Sequence, residues 1–362
     1  MHRFRPLASY RYDTALVSPD KLMSPPATPR LADLLKDKQP GYYIYQMTFE
    51  DLTGAIRRVD GTYGILELSL GDLKDCTLDV ETEAPDVRDH ILSHEQTIPA
   101  GTQITSDDVS SLVGRPGTGP VWGISVQNKL NVPTIQKGPL RSEVTDKSGV
   151  VHKVWQVIES EQMKRIASSV ETSQLIIADG HHRIARAMKK LSVSQQGSTV
   201  NLLSFITDLA ELQAEIRPIH RCFKTRLDRD EIMNRLHQHF EVEHISGAEI
   251  MHYQNLDSLV ILLSDLALSI KPSAAYGFKN DAFLSQSISR LLEARSTQYL
   301  TDISKLRDKV ISDPTKVGLI NRPVNIDQIR EAAINNKPLP PKSTMFYPKP
   351  LPGLILGDRL AF

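Results

Sequence analysis

Gln174 to Ala178 is a short apolar run, followed at once by Asp179-Gly180 and then by His181 to Leu191, a stretch with helical periodicity. That order predicts a buried strand, a sharp turn and a helix. Ile184, Ala187, Met188 and Leu191 share one face of the helix, and Arg183, Arg186, Lys189 and Lys190 share the other. A glycine turn that opens a helix leaves backbone N–H groups directed at one point, where the helix dipole favours an anion. Gly180 lacks the Cβ that would hold a phosphate away. His181, His182 and Arg183 add donors, and the arginine fork can hold two oxygens at once. The same residues admit a structural reading, with Asp179 as an N-cap and Asp-Gly as an ordinary turn. Two histidines and an arginine do nothing for a helix start, however, because positive groups there oppose the dipole. Residues that break a local rule in this way are candidates for function.

The rest of the chain reads as α/β with mixed α+β character, in three stretches. Residues 1–40 read as an irregular strap, because Ser18-Pro19 and Ser24-Pro25-Pro26-Ala27-Thr28-Pro29 stop regular structure. Residues 41–225 read as an α/β core. Its expected strands are Tyr42 to Phe49, Tyr63 to Leu70, Val150 to Ile158, Gln174 to Ala178 and Val200 to Thr207, with helices at Glu159 to Ser169 and His181 to Leu191. Val59-Asp60-Gly61-Thr62 is expected to turn the chain between the first two strands. Asp79 to Arg88 is acidic and reads as solvated, and Gly114 to Gly119 as a loop carrying Arg115. Residues 226–362 read as an α-rich part. Helices are expected at Asp228 to Phe240, capped by Asp228 or Asp230, at Asn280 to Ala294 and at Ile326 to Asn336, with a short strand at Val317 to Ile320. Prolines throughout Lys337 to Pro352 forbid a helix there. Met345, Phe346 and Tyr347 need burial, so Lys342 to Gly353 is expected to pack back on the core.

The chain of 362 residues has 43 basic and 43 acidic side chains, a balance that argues against nucleic acid as a partner. With Cys76 and Cys222 alone, neither a disulfide framework nor a cysteine-rich zinc site is expected. The N-terminus has no apolar signal-peptide core. The apolar segment Leu259 to Ile270 is too short to span a membrane and contains Asp265. A cytoplasmic protein with no membrane partner is expected, and a homodimer is compatible with the sequence. His94-Glu95 does not belong to a His-Glu-x-x-His zinc motif, because position 98 is Ile; no resident metal site is expected.

Ile177-Ala178-Asp179-Gly180-His181-His182-Arg183 resembles the signature of a large family of cytosolic prokaryotic proteins related to the ParB/sulfiredoxin superfamily, whose nearest understood relatives are nucleotide-dependent free serine kinases. Further segments carry the resemblance from about Tyr42 to Leu356. They are Tyr42-Tyr43-Ile44-Tyr45, His94-Glu95-Gln96-Thr97, His152-Lys153-Val154-Trp155, His220-Arg221, and Pro341-Lys342-Ser343-Thr344-Met345-Phe346-Tyr347-Pro348-Lys349-Pro350 with Gly353. The chain departs from the family near its N-terminus, where Pro25-Pro26-Ala27-Thr28 stands in place of a Pro-Pro-Tyr-Asp-like stretch. The resemblance implies a ParB/sulfiredoxin-like core. It raises Glu95 to a candidate general base, with His94, Thr97, His220, Arg221 and Lys342 as substrate-side or supporting residues. It also implies a nucleotide, ADP or ATP, with Mg²⁺. A sulfiredoxin-type reaction is not implied, since His181 stands where that motif has its reactive cysteine.

Two function classes follow. The first is phosphoryl transfer to the hydroxyl of a small, serine-like metabolite. Gly180, His181, His182 and Arg183 would hold phosphate, and Glu95, Asp179 or His182 would serve catalysis. Consecutive histidines point about 100° apart on a helix and should not share one role. The second is a ParB-like module that binds or hydrolyses a nucleotide with a protein or DNA partner. Neither a Walker A sequence nor a protein-kinase glycine loop is present.

Overall fold

The computed structural model of the protein describes residues 2–26, 29–69, 91–97, 119–127, 129–192, 198–246, 250, 258–272 and 281–357. Asp79 to Arg88 and Arg115 lie outside the described residues. The chain divides into two compact units. One comprises 1–215 with 333–336 and 346–362, the other 216–332 with 337–345.

Among the described residues the first unit is built on a nine-stranded mixed sheet. Its strands are β1 (Arg3–Arg5), β4 (Tyr42–Glu50), β5 (Ile56–Ser69), β6 (Ile91–Ser93), β7 (Val121–Ser125), β8 (Leu140–Thr145), β9 (Val151–Val157), β10 (Leu175–Asp179) and β11 (Thr199–Asp208), in the order β6-β10-β7-β11-β5-β4-β9-β8 with β1 on β5. β6 and β10 run parallel, as do β7 and β11; the other pairs are antiparallel. The remaining two strands of the N-terminal stretch, β2 (Tyr10–Tyr12) and β3 (Leu34–Lys36), pair with each other, and α1 (Pro19–Met23) lies between them in the chain. Residues 3–36 are therefore not simply an irregular strap. Pro19 sits at the start of α1, the one helical position where a missing N–H costs nothing, so the proline admits the helix.

Alternation along the strands separates two apolar faces. On one, Ile44, Leu66, Val121, Leu175, Ile177 and Ile206 pack with α2 (Ser160–Glu171) and α3 (His181–Ser192) through Ile166, Val170, Ile184, Ala187 and Leu191. β10 has helices on one face and a packed layer on the other, so it reads as continuously apolar, Leu175 to Ala178 all being buried. On the opposite face Tyr45, Tyr63, Phe205 and Trp122 form an aromatic layer with successive ring centroids 5.2–5.3 Å apart.

The turn expected at Val59–Thr62 is absent, and β5 runs straight through it. The reversal comes earlier, at Asp51–Gly54, where Asp51 accepts from the N–H groups of Thr53 and Ala55. Gly61 serves close packing. A Cβ there would meet the Phe205 ring at 2.3 Å and the Ile206 carbonyl at 2.7 Å.

The proline-rich segment returns to the aromatic face. Phe346, 1% exposed, packs its ring 5.6 Å from Trp122, and Tyr347 meets Phe49 edge-on at 5.5 Å. The Leu351 N–H donates to the Tyr45 hydroxyl at 2.9 Å, and the Gly353 N–H to the Leu22 carbonyl at 2.9 Å. A Cβ on Gly353 would lie 2.8 Å from the Leu22 Cα, so only glycine permits this crossing.

Among the described residues the second unit has α4 (Arg229–His237), α5 (Asp281–Leu291), α6 (Ile303–Ile311) and most of α7 (Ile326–Ile334), and is richer in helix than the first. Asp228 and Glu231 form a reciprocal capping box at α4. These helices accompany a sheet that helical periodicity does not announce. It comprises Phe240–His244, Ala267–Pro272, Leu259–Leu262, Lys316–Ile320, His220–Lys224 and Arg295–Leu300, in that spatial order. No described helix is long and apolar enough to cross a membrane.

Removing the Phe346 ring leaves a large hole between the returning segment and the sheet. Phe346→Ala is expected to cost about 3–5 kcal/mol of stability. Urea denaturation measures this; a loss below about 1 kcal/mol would mean that the segment does not anchor the fold.

Candidate functional site

β6 and β10 end side by side. Their parallel register pairs Ser93 with Ile177, so His94 and Glu95 continue along the edge where β10 runs into Asp179 and Gly180. Gly180 takes φ +98°, a left-handed conformation that glycine adopts without strain. Its carbonyl accepts from the N–H groups of Arg183 (2.9 Å) and Ile184 (3.0 Å), so Gly180 starts the helix. Asp179 is left with its carboxylate for other partners.

Those partners are two cations. Asp179 Oδ2 accepts from Arg183 Nη2 at 3.1 Å, and Oδ1 from Lys349 Nζ at 2.5 Å. The arginine contact follows from helix geometry, because a side chain four residues on leans back over the turn before it. Arg183 also donates to the Gly119 carbonyl and, at 2.8 Å, to the Pro120 carbonyl. The guanidinium expected to hold phosphate is thus turned onto backbone and Asp179. It ties the lead into β7 to the glycine turn, and burial lowers its pKa against the opposing pull of Asp179.

His94 is fully buried, and its ring meets that of His181 edge-on with centroids 4.7 Å apart. His94 Nδ1 lies 2.8 Å from the Ile177 carbonyl. A carbonyl only accepts, so Nδ1 carries the hydrogen and Nε2 is the lone-pair nitrogen of a neutral ring. Burial, reinforced by His181, holds the His94 pKa well below 6.5. His181, His182, Glu95 and Thr97 are half-buried at this edge of the first unit.

The structure therefore brings together Asp179, Gly180, His181, Arg183, His94 and Lys349, with Glu95 and Thr97 in the segment leading on from His94. His220, Arg221 and Lys342 lie in the second unit. There His220 Nδ1 accepts from the Asn321 N–H at 3.2 Å, and Arg221 Nη1 donates to Ser289 Oγ at 3.3 Å. Burial lowers the His220 pKa to about 4. Lys342 is half-buried with φ 60°. Lys349 was not among the residues expected here, although it belongs to the Pro341–Pro350 segment that carries the resemblance. Its place in that segment, beside the buried Phe346, was the available signal. Among the described residues no three His, Cys, Asp or Glu side chains are grouped to hold a metal ion.

A profile of one protein family matches residues 31–280. The chain belongs to the family described as "Protein of unknown function (DUF1015)". No curated protein matches it. Among solved structures it is similar to a free serine kinase in complex with ADP, at 14% identity over 75% of this chain and 90% of that one, with a TM-score of 0.42. It is also similar to SbnI with a C-terminal truncation from Staphylococcus aureus, at 10% identity over 74% and 84%, TM-score 0.39. A conserved hypothetical protein from Pyrococcus furiosus matches at 18% identity over 52% and 75%, TM-score 0.36. These are similarities of fold.

Two expectations follow from the geometry. A Cβ at Gly180 would lie 3.0 Å from Arg183 Nη2 and 3.2 Å from Val121 Cγ2, on a backbone that L-residues resist. Gly180→Ala should cost at least about 1–2 kcal/mol in denaturation, from the left-handed strain alone. His94 should stay neutral as pH falls through 6.5, visible in ¹⁵N spectra as an unchanged Nδ1–H tautomer. The unfolded chain then binds a proton that the folded chain refuses, so this contribution to stability is complete above 6.5 and is lost as pH falls below it. A His94 ring that titrates near 6.5 would contradict the assignment.

Proposed function

We propose that the protein is a nucleotide-dependent phosphotransferase acting on the hydroxyl of a small, serine-like metabolite. The observation that carries this reading is the convergence at one sheet edge of a glycine turn opening a helix, two histidines in ring contact, and a carboxylate held between two cations. Phosphoryl transfer asks for positioning and charge neutralisation more than for covalent chemistry, and these groups provide both. A nucleotide fits them. Its phosphates would lie at the start of α3, against the Gly180 turn, with His181 and His182 as donors. The bound nucleotide supplies the phosphoryl group, with Mg²⁺ carried mainly by its phosphates.

Glu95 takes the role of general base. Both oxygens of Asp179 already accept from cations, which suits Asp179 to fixing those cations. The acceptor oxygen attacks phosphorus and its proton passes to the Glu95 carboxylate. The bond from phosphorus to the leaving nucleotide oxygen breaks, with the electron pair departing on the nucleotide. Arg183 positions the turn through Gly119 and Pro120. The serine-like acceptor is what the sequence resemblance implies; the donor site is argued from the residues.

The test incubates the protein with Mg²⁺, ADP or ATP, and a panel of hydroxy amino acids and hydroxy acids, following ³¹P NMR. Transfer to one acceptor class is expected, with Glu95→Gln lowering the rate by about 10²–10⁴-fold. Nucleotide binding with no transfer to any acceptor would replace this reading with that of a ParB-like binding module.

A further inference from the structure

The cation pair on Asp179 is asymmetric. Arg183 is half-buried, its side chain 19% exposed, and its two terminal nitrogens are spent on Gly119, Pro120 and Asp179. Lys349 reaches the same carboxylate from the other side with a side chain that is 51% exposed, and Asp179 itself is 35% exposed. A lysine ammonium is a compact charge on a flexible stem with three donors, so it can exchange one anionic partner for another without repacking.

The backbone beneath it is held. Lys349 lies between Pro348 and Pro350, both buried and both locked in φ. Phe346 is packed on Trp122 three residues before, and the Leu351 N–H is bonded to the buried Tyr45 hydroxyl two residues after. The side chain is half exposed while its attachment point is held, which is the arrangement a ligand-binding cation needs.

Resting on the phosphotransferase reading, we infer that Lys349 is the cation that meets the terminal phosphate of the bound nucleotide, leaving Asp179 to do so. Asp179 parks the ammonium beside the helix start while no anion is there. A phosphate that arrives competes for it with a greater negative charge. The role expected of the Arg183 side chain falls to a residue in a segment some 170 positions away. The carboxylate of an acceptor offers the same kind of anion, and the two sources separate experimentally.

Calorimetry of ADP and AMP binding to the full chain tests this. Lys349→Met should weaken ADP about ten- to a hundredfold, the range for a hydrogen bond to a charged group. AMP, which lacks the terminal phosphate, should lose little, and Lys349→Arg should restore most of the ADP affinity. Asp179→Asn removes the competing charge, so it should tighten ADP binding. The opposite signs matter, because a lysine that merely pins its segment to Asp179 would make both variants weaken binding and lower Tm together. That parallel loss, equal losses for AMP and ADP, or wild-type ADP affinity in Lys349→Met would each overturn the inference. A weakened acceptor KM with unchanged ADP affinity would transfer Lys349 to the acceptor carboxylate and overturn it also. A wild-type protein that binds no nucleotide would fail the phosphotransferase reading itself, a result separate from all of these.

Discussion

The burial of Phe346 against Trp122 is the contact on which the site depends. It takes a chain segment that prolines keep extended and lays it across the aromatic face of the sheet, and the edge of that layer reaches His94. Lys349 follows three residues later and arrives at Asp179 as a consequence of that packing. A charge contact between half-exposed groups is worth little in water and could not by itself recruit a segment so distant in sequence. The apolar ring supplies the stabilisation and the lysine supplies the chemistry.

Gly180 and Arg183 form the second part of the same device. The left-handed turn brings the start of α3 onto the end of β10, and the i, i+4 spacing folds Arg183 back over it. The donors of Arg183 are thereby used within the protein. A site assembled this way has one rigid cation that shapes it and one movable cation that can serve a ligand.

The strand–turn–helix at 174–191 was legible because its signals are local: an apolar run bounded by Asp-Gly, then a 3.6-residue period. A cap at Asp228 or Asp230 was legible for the same reason, and the structure selects Asp228. Gly61 misled because a glycine needed for close approach to Phe205 looks the same in sequence as one that turns the chain. Of the second unit's sheet only the strand at Val317 to Ile320 was read, because its strands are four to six residues long and set among amphipathic helices. Leu259 to Ile270, weighed in sequence only as a membrane span, contains one of them and most of another. The partners of Arg183 are carbonyls 63 and 64 residues away, and no local rule can reveal which of several chemically suitable acceptors the fold presents. Lys349 sat in view, and only the folded path of its segment distinguishes it from Lys342.

The first unit is discontinuous: the chain leaves it after residue 215 and returns with 333–336 and 346–362. During synthesis the ribosome must therefore complete the whole second unit before Phe346 appears. Until then the aromatic layer on the large sheet lacks its covering and Asp179 lacks its lysine. The nascent protein carries an exposed apolar face for the time needed to make well over a hundred residues, a surface of the kind that chaperones recognise. Competence and protection from aggregation arrive in the same step, when one short proline-rich segment closes over the sheet.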